Sequence, residues 1–356
     1  MTAPFIDSAT AVRAGEELDA APLLAYLREH LPGLARDTPL MVEQFPSGFS
    51  NLTYLLRAGE REWVLRRPPF GANIKGGHDM AREYRLLSAL HPTYHKVPRP
   101  LAYCDDNAVL GAPFYVMERV RGVIFRNRPP KGVTPIPELM RGISTALVDT
   151  LIELHQLDVN AAGLSDLGQP EGYVARQVQG WARRYENART DDLPAMEQAA
   201  QWLIAHPPTE SGAALVHNDF KYDNVVLDPA DLTRPIAVLD WEMATLGDPL
   251  MDLGTTLGYW AEPDDPLELR QFNVTHLPGN LTRQQVAARY AERTGRDVSN
   301  IAFYYVFGLF KIGVILQQIY ARYKQGLTHD ERFGRLIILE QVVAAMAVKA
   351  IERGRL

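Results

Sequence analysis

A short polar segment near the middle of the chain, HNDFKYDN at 217–224, carries most of the groups that could do chemistry. It holds His217, Asp219, Lys221, Asp223 and Asn224, and apolar runs precede and follow it. Short apolar runs of this kind predict strands. A loop held by a strand at each end keeps its charged groups in a fixed relation, as chemistry that depends on positioning requires.

A second acidic segment follows at a short distance along the chain. The run PIAVLDWE at 235–242 reads as a strand that ends in Asp240 and Glu242. Two acid-bearing loops at strand ends predict a site for a hard cation with oxygen ligands, and Mg²⁺ shared with phosphates fits this pattern.

The spacing His217-x-Asp219-x-Lys221-x-x-Asn224 matches the catalytic loop of protein kinases position for position. Asp-Trp-Glu at 240–242, in place of Asp-Phe-Gly, and the run GDPLMDLG at 247–254 resemble instead the aminoglycoside phosphotransferase and choline kinase superfamily. Within it, the chain most resembles the branch of phosphotransferase domains associated with acyl-CoA dehydrogenases. The resemblance extends over about residues 40 to 340.

The resemblance implies an α+β fold of the bilobal protein-kinase type that uses ATP and Mg²⁺. It implies that Asp219 accepts or orients the proton of a substrate hydroxyl, and that Lys221 neutralises charge on the phosphoryl group in transfer. Asn224 and Asp240 would hold the metal ions that bridge the ATP phosphates. Phosphoryl transfer needs little covalent help, so positioning and charge neutralisation supply most of the acceleration.

The N-terminal part is expected to bind the nucleotide. In FPSGFSNLTYLL, Gly48, Ser50 and Asn51 fall in a turn between two predicted strands, where backbone N–H groups could cover phosphates. A single glycine in a hairpin is also ordinary, so an unspecialised turn is the alternative.

The strand WVLRR is expected to supply the cation for the phosphates. Comparison with the kinase β3 strand places Val64 by the adenine and Arg66 where protein kinases have lysine, with Arg67 as the alternative if the register differs by one. An arginine can reach phosphate oxygens with two parallel donors. Glu83 on the next helix is the expected ion-pair partner.

The strand PFYVMERV should lead into the adenine hinge, with backbone groups of Glu118 to Val120 facing the base. The following stretch is strongly basic: it carries five cations and no acid, namely Arg119, Arg121, Arg126, Arg128 and Lys131. A solvated connector is one interpretation. The other is recognition of an anionic substrate, such as a carboxylate or the phosphates of a CoA thioester.

Period-2 runs dominate the first third of the chain and helical periods dominate the rest. We therefore predict a small antiparallel-sheet N-lobe with one long helix at 1–118, a hinge or connector at 119–137, and a larger, mainly helical C-lobe with the catalytic loop and the substrate site at 138–356.

Bulk composition limits the other possibilities. The 356 residues are 46% hydrophobic and 22% charged with a formal net charge of −6, which argues against nucleic acid as a partner. One cysteine, Cys104, excludes an internal disulfide. The apolar run 301–319 contains Lys311 near its centre and is expected to be a buried helix and not a membrane span. The start of the chain lacks the pattern of a secretion signal, and a cytoplasmic location is expected.

The leading hypothesis is an ATP-dependent phosphotransferase that acts on a hydroxyl of a small molecule. If the basic stretch binds the substrate, an anionic hydroxyacyl or CoA-linked compound is expected. The alternative is a nucleotide-binding regulatory module, a pseudokinase without transfer activity. Asp219, Asn224 and Asp240 are all present, which favours the enzyme. A protein kinase is disfavoured because no Ala-Pro-Glu is found.

Overall fold

The computed structural model describes residues 6–31, 34, 37–46, 51–71, 79–328 and 330–356. The chain divides into two compact units. The first, called the sheet unit below, comprises Met1–Val123, Val226–Pro229 and Ile236–Glu242. The second, called the helical unit, comprises Ile124–Val225, Ala230–Pro235 and Met243–Leu356.

The sheet unit is built on an antiparallel five-stranded sheet with the order β1-β2-β3-β5-β4. Its strands are β1 (Met41–Gln44), β2 (Leu52–Ala58), β3 (Arg61–Arg67), β4 (Pro100–Cys104) and β5 (Phe114–Glu118). Its helices are α1 (Ala20–His30), α2 (Met80–Leu90) and the short α3 (Asn107–Leu110). Alternate residues of the central strands, including Tyr54, Leu65 and Val116, are fully buried against one face. The sheet therefore has the period-2 core that the sequence predicts.

Two further strands, β7 (Val225–Leu227) and β8 (Pro235–Val238), form a small second sheet. The beginning of the basic stretch joins it, since the backbones of Val123 and Leu227 exchange hydrogen bonds of 2.9 and 2.8 Å. Ile124 and Phe125 are buried. This part of the predicted connector is thus an ordered, buried segment and not a solvated one.

The helical unit contains eight helices among the residues that the structure describes. They are α4 (Pro137–His155), α5 (Tyr173–Ala188), α6 (Pro194–Ala205), α7 (Pro249–Tyr259), α8 (Leu267–Arg270), α9 (Arg283–Thr294), α10 (Ile301–Lys324) and α11 (Leu336–Arg353). Strands β6 (Ala214–Val216) and β9 (Thr245–Gly247) pair antiparallel beside them.

Helices α7 and α10 approach each other closely because glycines lie at their contact. A Cβ on Gly254 of α7 would collide with the Tyr304 carbonyl group of α10, and a Cβ on Gly308 would collide with the carbonyl of Gly254. Helix α10 is long and apolar enough to cross a membrane, but 78% of its most apolar window is buried inside the protein. It is the buried helix that the sequence predicts.

Candidate active site

The segment 217–224 follows β6 directly and is held in an unusual backbone conformation. Asn218 has a φ of 66°, in the left-handed region that residues other than glycine seldom occupy. Asp252 of α7 accepts the backbone N–H of His217 at 2.6 Å and that of Asn218 at 2.8 Å. His155 adds a third contact to this carboxylate, at 3.1 Å from Nε2. The fully buried carboxylate of Asp252 thus fixes the entry to the loop.

The carboxylate of Asp219 is surrounded by donors. Lys221 Nζ lies 3.1 Å from Oδ1 and 2.9 Å from Oδ2, and Asn224 Nδ2 donates to Oδ2 at 3.0 Å. Tyr259, at the end of α7, adds a side-chain hydrogen bond. A carboxylate offers about four acceptor positions. Since three side chains already donate to it, few acceptor positions remain, and the direction from which a further donor can reach Asp219 is restricted.

Lys221 keeps its charge in this site. Burial lowers the pKa of its ammonium, but the interactions with Asp219, Tyr259 and Asp223 together outweigh burial, and the net effect raises the pKa. The ammonium also lies 4.7 Å from the centroid of the Tyr259 ring. A permanent positive charge beside Asp219 is suited to a reaction that moves a phosphoryl group.

The basic stretch affects the pKa of a second carboxyl group in the loop, that of Asp223. Burial raises the pKa of Asp223, whereas the positive charges of Lys221 and Arg126 oppose that rise. Arg126 is therefore near enough to the loop to act on its electrostatics. By contrast Arg119 and Arg121 each lie 3.0 Å from Glu62 in the sheet unit.

In the sheet unit, three carboxylates gather around the guanidinium of Arg66. Its nitrogens lie 2.9 Å from Asp240 Oδ1, 3.6 Å from Glu83 Oε1 and 3.7 Å from Glu242 Oε2. Burial lowers the pKa of Arg66, but the neighbouring acidic groups, with Glu83 and Asp240 foremost, together raise the pKa more than burial lowers it, so the arginine stays charged.

Arg67 has different surroundings. It donates to the carbonyls of Pro68 and Leu110, each at 3.1 Å, and stacks over the ring of Phe70 at 3.7 Å. Of the two arginines between which the sequence leaves the choice open, Arg66 is the one beside Glu83. The role of either arginine at a nucleotide remains a prediction.

Glu83 is buried, with 2% of its surface exposed. Burial raises its pKa, Arg66 lowers it and the charge of Asp240 raises it further. When ionised, the three carboxylates around Arg66 carry more negative charge than one guanidinium balances, and a divalent cation stabilises such a setting.

Each unit, taken by itself, contains an oxygen donor of the kind that such a cation binds. Asn224 directs its Nδ2 to Asp219, so its remaining polar atom, Oδ1, is a carbonyl-type oxygen of the kind that hard cations bind. Asp240 has a φ of 67° and, with Asn218, is one of two non-glycine residues with positive φ among those described. No group of three or more His, Cys, Asp or Glu in the described part of the chain forms a metal cage. Mg²⁺ commonly takes one or two protein ligands and completes its shell with phosphate and water.

Other predicted nucleotide residues have varied surroundings. Gly48 and Ser50 lie outside the described residues. Asn51 is buried and donates to Glu242 Oε2 at 2.5 Å. Val64 is buried in β3 between Leu55 and Met117.

The predicted hinge is only partly available for adenine. The backbone N–H of Glu118 donates to the Arg99 carbonyl at 2.9 Å, so it is already occupied. Val120 is half-buried. A contact of these residues with adenine stays a prediction.

Sequence reasoning missed several residues that contact the loop, among them Asp252 and Tyr259. Asp252 lies in the GDPLMDLG run, which carries the family resemblance but by itself gives this residue no role. Tyr259 lies on the same helix two turns further on, where its spacing from Asp252 places it near the same face. Helical spacing from Asp252 was therefore the signal that could have found it.

Comparison with known proteins gives this arrangement its class. The sequence pattern of the "Phosphotransferase enzyme family" matches residues 42–288, and the chain belongs to this family. Acyl-CoA dehydrogenase family member 11 of Rattus norvegicus is 37% identical over 88% of the chain. The chain spans only 41% of that relative's length, so the match concerns one part of a larger protein.

Solved structures agree with the family. A putative aminoglycoside phosphotransferase from Ralstonia eutropha is 31% identical, with a TM-score of 0.79 over 95% of this chain and 99% of that one. Choline kinase from Cryptosporidium parvum shares the fold at 12% identity, with a TM-score of 0.65 over 94% and 97% of the two chains. The predicted superfamily, its branch and the α+β protein-kinase-like fold are confirmed. The phosphotransferase fold indicates a small-molecule kinase.

Proposed function

We propose that the chain transfers the γ-phosphoryl group of ATP to a hydroxyl group of a small molecule, with Asp219 as the residue that receives that hydroxyl. The supporting observation is the Asp219 carboxylate itself. It is held by Lys221, Asn224 and Tyr259 on a loop whose backbone is fixed by Asp252. An oriented carboxylate with a permanent cation beside it has the groups that phosphoryl transfer uses.

In the proposed reaction the acceptor oxygen forms a bond to the γ-phosphorus as the bond from that phosphorus to the β–γ bridging oxygen breaks. ADP leaves with the electron pair of the broken bond, and the proton of the acceptor hydroxyl passes to Asp219. Lys221 offsets the negative charge on the transferring group. Positioning and charge stabilisation carry the rate, because the transition state is loose.

Asn224 and Asp240 are proposed as ligands of Mg²⁺, which when bound would neutralise phosphate charge. Arg66, oriented by Glu83, is proposed as the cation for the ATP phosphates. The remaining proposed nucleotide contacts are Gly48, Ser50 and Asn51 at the phosphates and Val64, Glu118 and Val120 at the adenine. The chain is proposed to act in the cytoplasm.

An anionic acceptor, such as a hydroxyacyl compound linked to CoA, fits the basic stretch. Fewer cations support this proposal than the five that the sequence offers. Arg119 and Arg121 pair with Glu62, whereas Arg126 acts on Asp223 in the catalytic loop and Arg128 is exposed. Arg126 and Arg128 are the cations best suited to meet a carboxylate or a phosphate.

The function is tested by ADP release in the presence of ATP and Mg²⁺ with a panel of acceptors: aminoglycosides, choline-like amines, sugars and hydroxyacyl-CoAs. We expect ADP release that depends on one acceptor class and a product that gains one phosphoryl group by mass spectrometry. Tight binding of ATP without acceptor-dependent turnover across the panel would favour the regulatory module over the enzyme.

The acceptor class is tested with the double variant Arg126→Ala/Arg128→Ala. We expect the KM for a hydroxyacyl-CoA to rise on the order of 100-fold or more, because two charge-assisted contacts are removed and each contributes about 1.5–3 kcal/mol. Arg121→Ala is the matched control, since it removes a cation of the same stretch that already pairs with Glu62. If the double variant and the wild type show equal kinetics, the hypothesis of an anionic acceptor bound by these arginines is wrong.

A further inference from the structure

Lys311 is a buried charge in the middle of the long, apolar helix α10. Only 2% of its surface is exposed, and its neighbours along α10 are phenylalanine, leucine, isoleucine and valine. Burying an ammonium group is unfavourable unless a partner compensates it. A lysine at such a position therefore requires a partner that stabilises its charge.

The partner of Lys311 is the backbone of the catalytic loop. Its Nζ donates to the carbonyl oxygen of Asn218 at 2.5 Å. That carbonyl belongs to the peptide bond between Asn218 and Asp219, so the contact acts on the peptide that leads directly into the proposed catalytic carboxylate. The ammonium also lies 5.4 Å from the centroid of the Trp181 ring.

All four polar groups of Asn218 are engaged, each by a different residue. Its N–H donates to Asp252, its carbonyl accepts from Lys311, its Oδ1 accepts from Tyr173 and its Nδ2 donates to the Met243 carbonyl. A left-handed conformation at a residue other than glycine is unfavourable and persists where the surroundings over-determine it. These four hydrogen bonds restrain Asn218 in the left-handed conformation.

Two of the four come from the helix pair α7 and α10. Asp252 of α7 accepts a hydrogen bond from the N–H of Asn218, and Lys311 of α10 donates one to its carbonyl oxygen. The glycine contact of these helices at Gly254 and Gly308 fixes the two side chains relative to each other. The peptides on either side of Asn218 are thus both hydrogen-bonded by side chains of one closely packed pair of helices.

The charges around Lys311 support an ammonium at neutral pH. Burial lowers its pKa to about 8, with the negative charges of Asp219 and Asp252 acting against burial and the positive charges of Lys221 and Arg184 acting with it. At pH 7 the proton is still present, so the contact with the Asn218 carbonyl is charge-assisted.

We propose that Lys311 is a positioning residue of the phosphotransferase site: its ammonium holds the left-handed Asn218 peptide and thereby sets the direction of the Asp219 carboxylate. The inference deepens the proposed function and rests on it for its catalytic consequence. The hold on the loop can be measured without any substrate.

The test compares Lys311→Met with Gln317→Met in the full chain. Gln317 is a matched control, because it lies on the same helix, is fully buried and donates to Ala188 and Thr190 instead of the loop. Hydrogen exchange by mass spectrometry should show exchange of the backbone amides of 217–224 faster by about tenfold or more in Lys311→Met and unchanged in Gln317→Met. The kcat of Lys311→Met should fall about tenfold or more, with the KM for ATP changed by less than about twofold.

Two further variants complete the design. Lys311→Arg keeps the charge and the donor and should recover most of the loop protection. If Lys311→Met does not fold, Lys311→Gln replaces it, and its neutral, shorter side chain should speed loop exchange by about threefold or more.

The outcomes separate the inference from the function. Loop exchange as slow as in the wild type in the Lys311 variant would overturn the inference, and so would equal acceleration in the Gln317 variant, because that indicates general loosening. Absence of transfer activity in the wild type would count against the proposed function, while the exchange data would still decide whether Lys311 holds the loop.

Discussion

Asp219 receives hydrogen bonds from three side chains, and each restrains it differently. Lys221 and Asn224 lie within the same loop, whereas Tyr259 reaches it from the end of α7. The phenol therefore ties the carboxylate to a rigid helix. Because catalysis by orientation is sensitive to small displacements, this tie should contribute to rate more than to binding.

The variant Tyr259→Phe removes the hydroxyl and keeps the ring beside Lys221. We expect kcat to fall on the order of tenfold, since a hydrogen bond to a charged group contributes about 1.5–3 kcal/mol. The KM for ATP should stay unchanged. Tyr26→Phe is the control, because it removes a hydroxyl that donates to the Tyr103 carbonyl in the sheet unit. Equal kcat values for both variants would contradict the role of Tyr259.

At this scale the sequence could predict contacts only where spacing determines them. Asp219, Lys221 and Asn224 meet because the loop between β6 and β7 is short. The choice between Arg66 and Arg67 depended on the facing of β3, which alternation alone leaves ambiguous by one residue. Tyr259 and Lys311 lie far along the chain, and helix packing brings them to the loop.

Helices α7 and α10 give the loop its rigid support, and their glycines make this possible. Gly308→Ala places a Cβ against the Gly254 carbonyl, which is backbone and cannot move aside cheaply. We expect the variant to lose about 1–3 kcal/mol of stability, or more, through overpacking, measured by denaturant unfolding. Gly180→Ala in α5 meets nothing within 4 Å and should be neutral or slightly stabilising. A Gly308 variant as stable as the Gly180 variant would show that the helix contact is not tight.

Most elements were predictable, and the exceptions have physical reasons. The strands of the sheet unit follow from period-2 runs, and α2 and α10 from helical runs with clear ends. Helix α7 was not predicted, because Gly254 and Gly258 lower its helical propensity although they are required for its packing. Helix α11 was also not predicted; its apolar beginning, LIILEQVVAAMAV, shows no clear polar face.

At the scale of the whole molecule, one buried acid makes stability depend on pH. Glu340 of α11 is fully buried, and neither of its carboxylate oxygens has a hydrogen-bond partner among the residues that the structure describes. Burial, with a smaller contribution from Asp191, raises its pKa to about 8. The folded protein therefore keeps this proton when the unfolded chain, with a glutamate pKa of about 4.3, has lost it.

The difference between the folded and unfolded pKa of Glu340 determines how stability changes with pH. The stabilising contribution is complete below the unfolded pKa and is lost as pH rises through the folded pKa, so the wild type should lose stability between about pH 4 and 8 from this residue. Glu340→Gln mimics the protonated form at every pH. We expect its unfolding temperature to exceed that of the wild type by several degrees at pH 8, from on the order of 3 kcal/mol, and by much less at pH 5.

Glu352→Gln is the control for this prediction, because Glu352 lies exposed on the same helix. Its unfolding temperature should follow that of the wild type at both pH values. If Glu340→Gln shows the same difference from the wild type at pH 5 and pH 8, the shifted pKa of Glu340 is not the cause.

The role of Asp219 is tested by acceptor-dependent ADP release in the variant Asp219→Asn, paired with calorimetry of ATP binding in the presence of Mg²⁺. Asparagine keeps the size of the side chain and removes the carboxylate charge. We expect kcat to fall about 1,000-fold or more, with ATP affinity within about threefold of the wild type. Turnover close to the wild-type value in this variant would contradict the assignment of Asp219 as the residue that receives the acceptor hydroxyl.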